Sequence, residues 1–281
     1  MKRKISMGVM EKGFFEKIVD DFSDLSKRNG FRGSVLFCNM GELFIYPEVI
    51  DRIEYVLNSG LDFNVQTNGF LMSPGMVDSL LQCGFKGTIL ISCHGITPGV
   101  YKEVMGLDIS TTLRNVDYLI RHYPRNRIGI QAIPHDWPRG EARRVRKYWS
   151  RKGISVRMPL PISRAGLVPS IRTRYRSSLT GRNPDRPLGE MVICFNGDVI
   201  LCCNDMAQQE GVGNLRKNNI EEVWNGETFL DKLEQIYCGK ASGDDFICKM
   251  CEFARFSNSQ VSRLLKNIKY SVKRFFLTHV W

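Results

Sequence analysis

No run of eighteen apolar residues occurs in the 281-residue chain, so no segment is read as a membrane-spanning helix. The opening stretch MKRKISMGVMEKGFFEKIVDDF is basic but carries no apolar core, so it is not read as a secretory signal. Acidic residues are almost missing from positions 139–182, where thirteen Lys/Arg stand against Glu141 alone. They are missing altogether from position 256 onward, where five Lys/Arg remain. The formal net charge of +11 therefore belongs to those two segments, and the rest of the chain is net acidic. Aromatics are sparse within 139–182 (Tyr148, Trp149, Tyr175), which argues against a base-stacking platform for single strands. A run of charge is usually a solvated face; the functional reading is a docking surface for RNA, an acidic peptide or a phosphorylated substrate. Cysteine is plentiful, at nine. Without a secretory signal, thiols in that number point to metal or redox use rather than a disulfide framework, and the cytoplasm is the expected compartment.

Read in order, the chain alternates helices and short apolar strands. Phe14, Phe15, Ile18, Val19, Phe22 and Leu25 lie on one face of a helix over 11–28 that Asn29-Gly30 closes. SVLFC at 34–38 reads as a buried strand, 48–58 as a helix and 63–66 as a strand. Ser73 caps a helix over 74–82 with Pro74 in its first turn. A strand over 88–92 follows, then helices over 98–104 and 110–121, a strand over 128–133, a charged helix over 141–152 and a strand over 154–158. Strands and helices alternating at this pace make βα units around a parallel sheet. The order opens on a helix, so the sheet is expected to lack a preceding strand.

The C-terminal third has a different texture. Val192, Ile193 and Phe195 lead into the turn signal Asn196-Gly197, and Val199-Ile200-Leu201 leads out to Cys202-Cys203. After Gly213-Asn214-Leu215, the residues Ile220, Val223 and Trp224 sit at helical spacing. Cys248-Lys249-Met250-Cys251 then adds a CxxC, which sets two thiols within reach of one metal centre. Cysteines often do no more than pack, yet a CxxC following a Cys pair on a hairpin favours a metal site. Sulfur suits zinc or an iron–sulfur cluster alike, and spacing does not choose between them.

The order NGDVILCCND, GVGNL, IEEVWNGETF, CKMC resembles the SPASM domain, the auxiliary [4Fe-4S] module of many radical S-adenosylmethionine (SAM) enzymes. Upstream, GELFIYP at 41–47 is similar to that superfamily's Gly-Glu-Pro segment. TNG at 67–69, ISCHGITPGVYKEVMG at 91–106 and RAG at 164–166 match further stretches, so the likeness runs from about residue 8 to 251. It implies an α/β fold, a partial (β/α)6 TIM-like barrel without its first strand over 1–175. A small Cys-rich hairpin-and-helix domain would occupy 183–255, and a basic amphipathic helix 256–281. It implies SAM contacts at the carboxyl ends of strands from Gly41, Glu42, Thr67, Asn68, Ser92, His94 and Gln131. Metal ligation falls to Cys202, Cys203, Cys248 and Cys251. The family's Cys just ahead of the hairpin is absent from NPDRPLGEM, so the fourth ligand is Cys202, Cys194, Cys238 or a group other than Cys.

In the superfamily a CxxxCxxC holds a catalytic [4Fe-4S] cluster, which reduces SAM to release a 5′-deoxyadenosyl radical. No CxxxCxxC occurs in this sequence, and residues 1–10 contain no Cys. The resemblance thus implies an oxidoreductase of peptides, proteins or small metabolites in the intact family, served by an external electron donor. The chain as given is expected to be N-terminally truncated, to keep auxiliary [4Fe-4S] binding and not to cleave SAM. The rival reading is a non-catalytic module, stapled by zinc or an iron–sulfur cluster, that grips RNA or an acidic peptide through 139–182. Val261, Leu264, Leu265, Ile268 and Val272 make an apolar face on the tail, suited to its own barrel, a partner or a membrane surface.

Overall fold

The computed structural model describes residues 8–37, 41–182 and 186–255. The expectations placed on Cys38 and on the tail helix over 256–281 lie outside the described residues. Two compact units form: Arg32–Pro161, and a second that joins Met1–Phe31 to Ile162–Trp281. No helix among the described residues is long and apolar enough to cross a membrane.

Helix α1 (Lys12–Asn29) ends on Gly30, whose φ of 67° supplies the left-handed cap that the Asn-Gly pair signals. Its apolar face does not open a βα series. Phe14 joins the core of the C-terminal unit, with Ile18, Phe22 and Leu25 packed against it. The spans drawn from sequence, 1–175 and 183–255, are therefore divided differently by compactness, because the partners of the α1 face are C-terminal residues.

Within Arg32–Pro161 the elements run β1 (Ser34–Phe37), α2 (Val49–Asn58), β2 (Asp62–Thr67), α3 (Pro74–Gln82), β3 (Ile89–Ser92), α4 (Pro98–Met105), α5 (Ile109–His122), β4 (Ile128–Gln131), α6 (Glu141–Arg151) and β5 (Ser155–Arg157). The five strands are parallel and lie in sequence order. Ser73 accepts the Met76 N–H at 3.3 Å to start α3, and Asp108 accepts the Ser110 N–H at 3.1 Å to start α5.

Register sorts the sheet into two faces. Phe63, Val65, Ile89, Ile91, Ile128 and Ile130 share one face and are buried. Asn64, Gln66, Leu90, Ser92, Gly129, Gln131, Ser155 and Arg157 share the other, which is more polar and less buried. Strand β1 departs from the buried strand expected. Ser34 and Leu36 are exposed because β1 is the outer strand, hydrogen-bonded to β2 alone in the sheet order.

In the C-terminal unit, β6 (Val192–Ile193), β7 (Asp198–Ile200) and β8 (Gly211–Asn214) form an antiparallel sheet. The predicted hairpin turn is present: Cys194 N–H reaches Asp198 O at 2.8 Å, and Gly197 takes φ 94°. The strand β8 was hidden in GVGN, where glycines mask any alternation. Helix α7 (Ile220–Trp224) starts in a capping box, with Asn219 accepting the Glu222 N–H at 2.8 Å and Glu222 accepting the Asn219 N–H at 3.0 Å. Helix α8 (Glu227–Tyr237) adds Phe229, Leu233 and Ile236 to the core. Lys17 donates to Leu215 O at 3.2 Å and Asp21 accepts the Ile220 N–H at 2.7 Å, which fixes α1 onto this unit.

Candidate functional site

The sheet brings most of the residues predicted for SAM to its carboxyl edge. Thr67, Ser92 and Gln131 are the last residues of β2, β3 and β4, and Ser92 pairs in register with Gln131. Parallel sheets place ligands at this edge. Glu42, in the loop after β1, accepts from Thr67 Oγ1 at 2.6 Å, from the Asn68 N–H at 2.8 Å and from the Phe44 N–H at 3.3 Å. A carboxylate has room for about four donors, so Glu42 retains acceptor capacity. Gly41 is exposed, and a Cβ there would meet nothing within 4 Å.

His94 accepts the Ile133 N–H through Nδ1 at 3.2 Å. Burial holds its imidazole below the ordinary value, against a raising contribution from the Gln131 backbone. A neutral ring accepting through Nδ1 carries its proton on Nε2. The side chain of Gln131 is already engaged: its Oε1 accepts Arg157 Nη2 at 2.7 Å and Nε at 3.0 Å. Arg157, at the end of β5, was missed by sequence reading because it stands in a long basic run.

Glu141 was missed too. It is fully buried at the start of α6 and accepts the Ile96 N–H at 2.6 Å, the Thr97 N–H at 2.8 Å and Thr97 Oγ1 at 2.7 Å. Arg144 Nε adds a contact at 2.8 Å. Burial alone would raise this carboxyl, but those donors bring it down to about 2. Glu141 thereby fixes the loop that carries His94.

The C-terminal unit gathers the second group. Cys202, Cys248 and Cys251 are buried at 2–3% exposure, and all three act on the guanidinium of Arg182. Arg182 Nη2 lies 3.8 Å from Cys251 Sγ, and its Nε is buried without a hydrogen-bond partner. Asn204 donates its N–H to Cys202 Sγ at 3.4 Å and its Nδ2 to Cys251 Sγ at 3.8 Å. Cys203 is half-buried beside Arg186, whose Nη1 is 3.3 Å from its sulfur. A hydrogen bond from Cys203 and the charge of Arg182 pull Cys202 down to about 6 against its burial, while burial pushes Cys248 up. Cys194 is buried and raised to about 11 by that burial, with Asp198 and Asp205 as its charged neighbours.

Backbone structure sets these sulfurs in place. Glu210 accepts the Ile247 N–H at 3.2 Å and meets Lys232 Nζ at 2.7 Å, which anchors the short turn bearing Cys248. Arg182 bridges to Ala254, next to the CxxC. Among the described residues no three His, Cys, Asp or Glu converge closely enough to hold a single metal ion. A cluster spreads its cysteines over several irons and does not require such convergence. Three buried soft donors around a cation that meets no carboxylate among the described residues fit an anionic, thiolate-bound cluster.

Nor is the basic run 139–182 one free patch. It is divided between the two units. Arg144, Lys152, Arg157, Arg164, Arg176 and Arg182 are engaged with Glu141, Asp117, Gln131, Asn204, Cys251 O and the thiols respectively.

Residues 185–252 match the family model of SPASM, an iron–sulfur cluster-binding domain. No curated protein matches the sequence. Among solved structures, BtrN in complex with AdoMet and 2-DOIA superposes with a TM-score of 0.58 at 17% identity, over 90% of this chain and 83% of that one. Native anSMEcpe with bound AdoMet gives 0.62 at 14% identity, over 97% and 91%. Streptococcus suis SuiB bound to precursor peptide SuiA gives 0.64 at 13% identity, over 89% and 65%. The chain shares the fold of these proteins, and its residues 185–252 match the SPASM model.

Proposed function

We propose that the C-terminal domain binds an auxiliary [4Fe-4S] cluster through Cys202, Cys248 and Cys251, with Cys203 as the adjoining thiol. The observation that carries this reading is the enclosure of three buried thiols around Arg182, within a span that matches an iron–sulfur family. Such a cluster, when bound, supplies one-electron transfer. The residues of the chain hold thiolate sulfurs away from water, donate N–H groups to two of them through Asn204, and set a positive charge beside them. Cys238 is the alternative for the remaining ligand, since Cys194 stands beside the carboxylates of Asp198 and Asp205.

The carboxyl edge of the parallel sheet is proposed as a SAM surface. Glu42 is preorganised by Asn68 and Thr67 to accept an ammonium, and Ser92 and neutral His94 offer polar contacts to a ribose. The AdoMet bound by BtrN and anSMEcpe on the same fold supports that placement. Because the sequence has no CxxxCxxC, SAM binding by this chain alone is not coupled to SAM cleavage. SuiB bound to a precursor peptide supports a peptide as the substrate class, with an anionic metabolite as the alternative and a separate protein as electron donor.

Anaerobic purification after iron and sulfide reconstitution tests the reading. Broad visible charge-transfer absorption that bleaches with dithionite supports it. A colourless protein holding one zinc replaces it with the metal-stapled module.

A further inference from the structure

Arg182 poses a charge problem that ligation of the sulfurs does not by itself answer. Its residue exposure is 2%, and its Nε has no hydrogen-bond partner among the described residues. No carboxylate pairs with it among the described residues; its Nη2 lies 3.8 Å from Cys251 Sγ, Cys202 and Cys248 are further sulfur neighbours, and its Cζ sits over the Phe253 ring, 5.9 Å from the centroid. Burying a guanidinium without a counter-charge is strongly unfavourable, which calls for a negative group at this point. Among the described residues, the thiols are the candidates in contact.

We propose that Arg182 is the fixed counter-charge of the auxiliary cluster and raises its reduction potential, an inference that rests on the cluster-binding reading above. A cluster held by thiolates is anionic, and uptake of one electron from an external donor makes it more so by one charge. A buried cation interacts more strongly with the reduced form than with the oxidised form. Net charge, hydrogen bonds to sulfur and solvent exposure are the levers on such potentials.

Comparison with the neighbouring donors identifies Arg182 as the dominant one. Asn204 is neutral and offers only dipoles. Arg186 reaches Cys203, but its side chain is 39% exposed and is paired with Glu190 at 3.2 Å, so solvent and the carboxylate dilute its charge. Arg182 is enclosed with three sulfurs and meets no such competitor among the described residues. Its planar fork can address several sulfurs at once, whereas a lysine offers one compact, strongly hydrated charge. Its backbone bridge to Ala254 is kept on side-chain substitution.

The test compares the full-length wild type with Arg182→Gln, Arg182→Lys and Arg186→Gln after anaerobic reconstitution. Iron and sulfide content are assayed, and potentials are read by electron paramagnetic resonance during dithionite titration. The expected result is a lower potential in Arg182→Gln with iron retained, partial restoration in Arg182→Lys, and little change in Arg186→Gln. An unchanged potential in an iron-replete Arg182→Gln overturns the proposal, as do equal shifts in Arg182→Gln and Arg186→Gln. Loss of iron from both Arg182 variants makes the side chain a packing element and also overturns it. A wild-type protein that takes up neither iron nor sulfide removes the cluster reading itself, and this inference with it.

Discussion

Glu42 accepts the backbone N–H of Asn68 at 2.8 Å, so a carboxylate following β1 is fixed at the end of β2. The bond joins two segments that sequence alone marked separately, GELFIYP and TNG. It gives the edge of the sheet a rigid negative group.

Replacing Glu42 with Ala leaves the Asn68 and Phe44 N–H groups and the Thr67 hydroxyl without this acceptor. Unfolding of the sheet unit should become easier by about 1.5–3 kcal/mol, the range for hydrogen bonds to charged groups. Binding of S-adenosylhomocysteine, measured by calorimetry, should weaken at least about tenfold, in line with loss of a charge-assisted contact. Unchanged affinity in a folded variant would remove Glu42 from the proposed site.

Glu141 predicts an acid-sensitive loop. Its folded value near 2 lies below the ordinary 4.5, so its stabilising effect is complete above the unfolded value. That effect is lost as pH falls from about 4.5 toward about 2. Glu141→Ala should cost about 3 kcal/mol at neutral pH, through the orphaned Ile96 and Thr97 N–H groups, and should flatten this acid limb. Denaturant midpoints measured across that pH range check both effects.

Gly197 tests the docking of α1. A Cβ there would lie 2.9 Å from Phe14 Cζ and 3.1 Å from Arg216 Cγ, at a φ of 94° that L residues rarely adopt. Gly197→Ala should therefore destabilise the C-terminal unit by about 2 kcal/mol, combining backbone strain with a clash against an α1 side chain. A neutral effect in urea unfolding would contradict the placement of Phe14 over the hairpin.

Cys248→Ala and Cys251→Ala should each lower bound iron and the visible absorption, as should Cys202→Ala. Cys194→Ala should leave both close to wild type, since its charged neighbours are Asp198 and Asp205. Metal analysis after desalting separates the four cases. Retention of iron by Cys248→Ala would move the ligand set elsewhere.

Local chemistry made much of the fold legible. Ser73-Pro74 marked the start of α3, Asn29-Gly30 the end of α1, and Asn196-Gly197 the hairpin, because each acts through its own backbone. The assignment of α1 to the C-terminal unit was not legible, since an amphipathic face does not say which core it completes. The site divided in the same way. Glu42 and the CxxC stood out in sequence, whereas Arg182, Arg157 and Glu141 sat among thirteen Lys/Arg and a single acid that local pattern cannot rank. Burial and partnership distinguish them, and both arise only in the folded chain.

The most direct measurement is the iron and acid-labile sulfide content of protein purified and reconstituted without oxygen. The cluster account predicts about four of each per chain, with both lost on Cys248→Ala. Protein that holds neither iron nor sulfide under those conditions contradicts it.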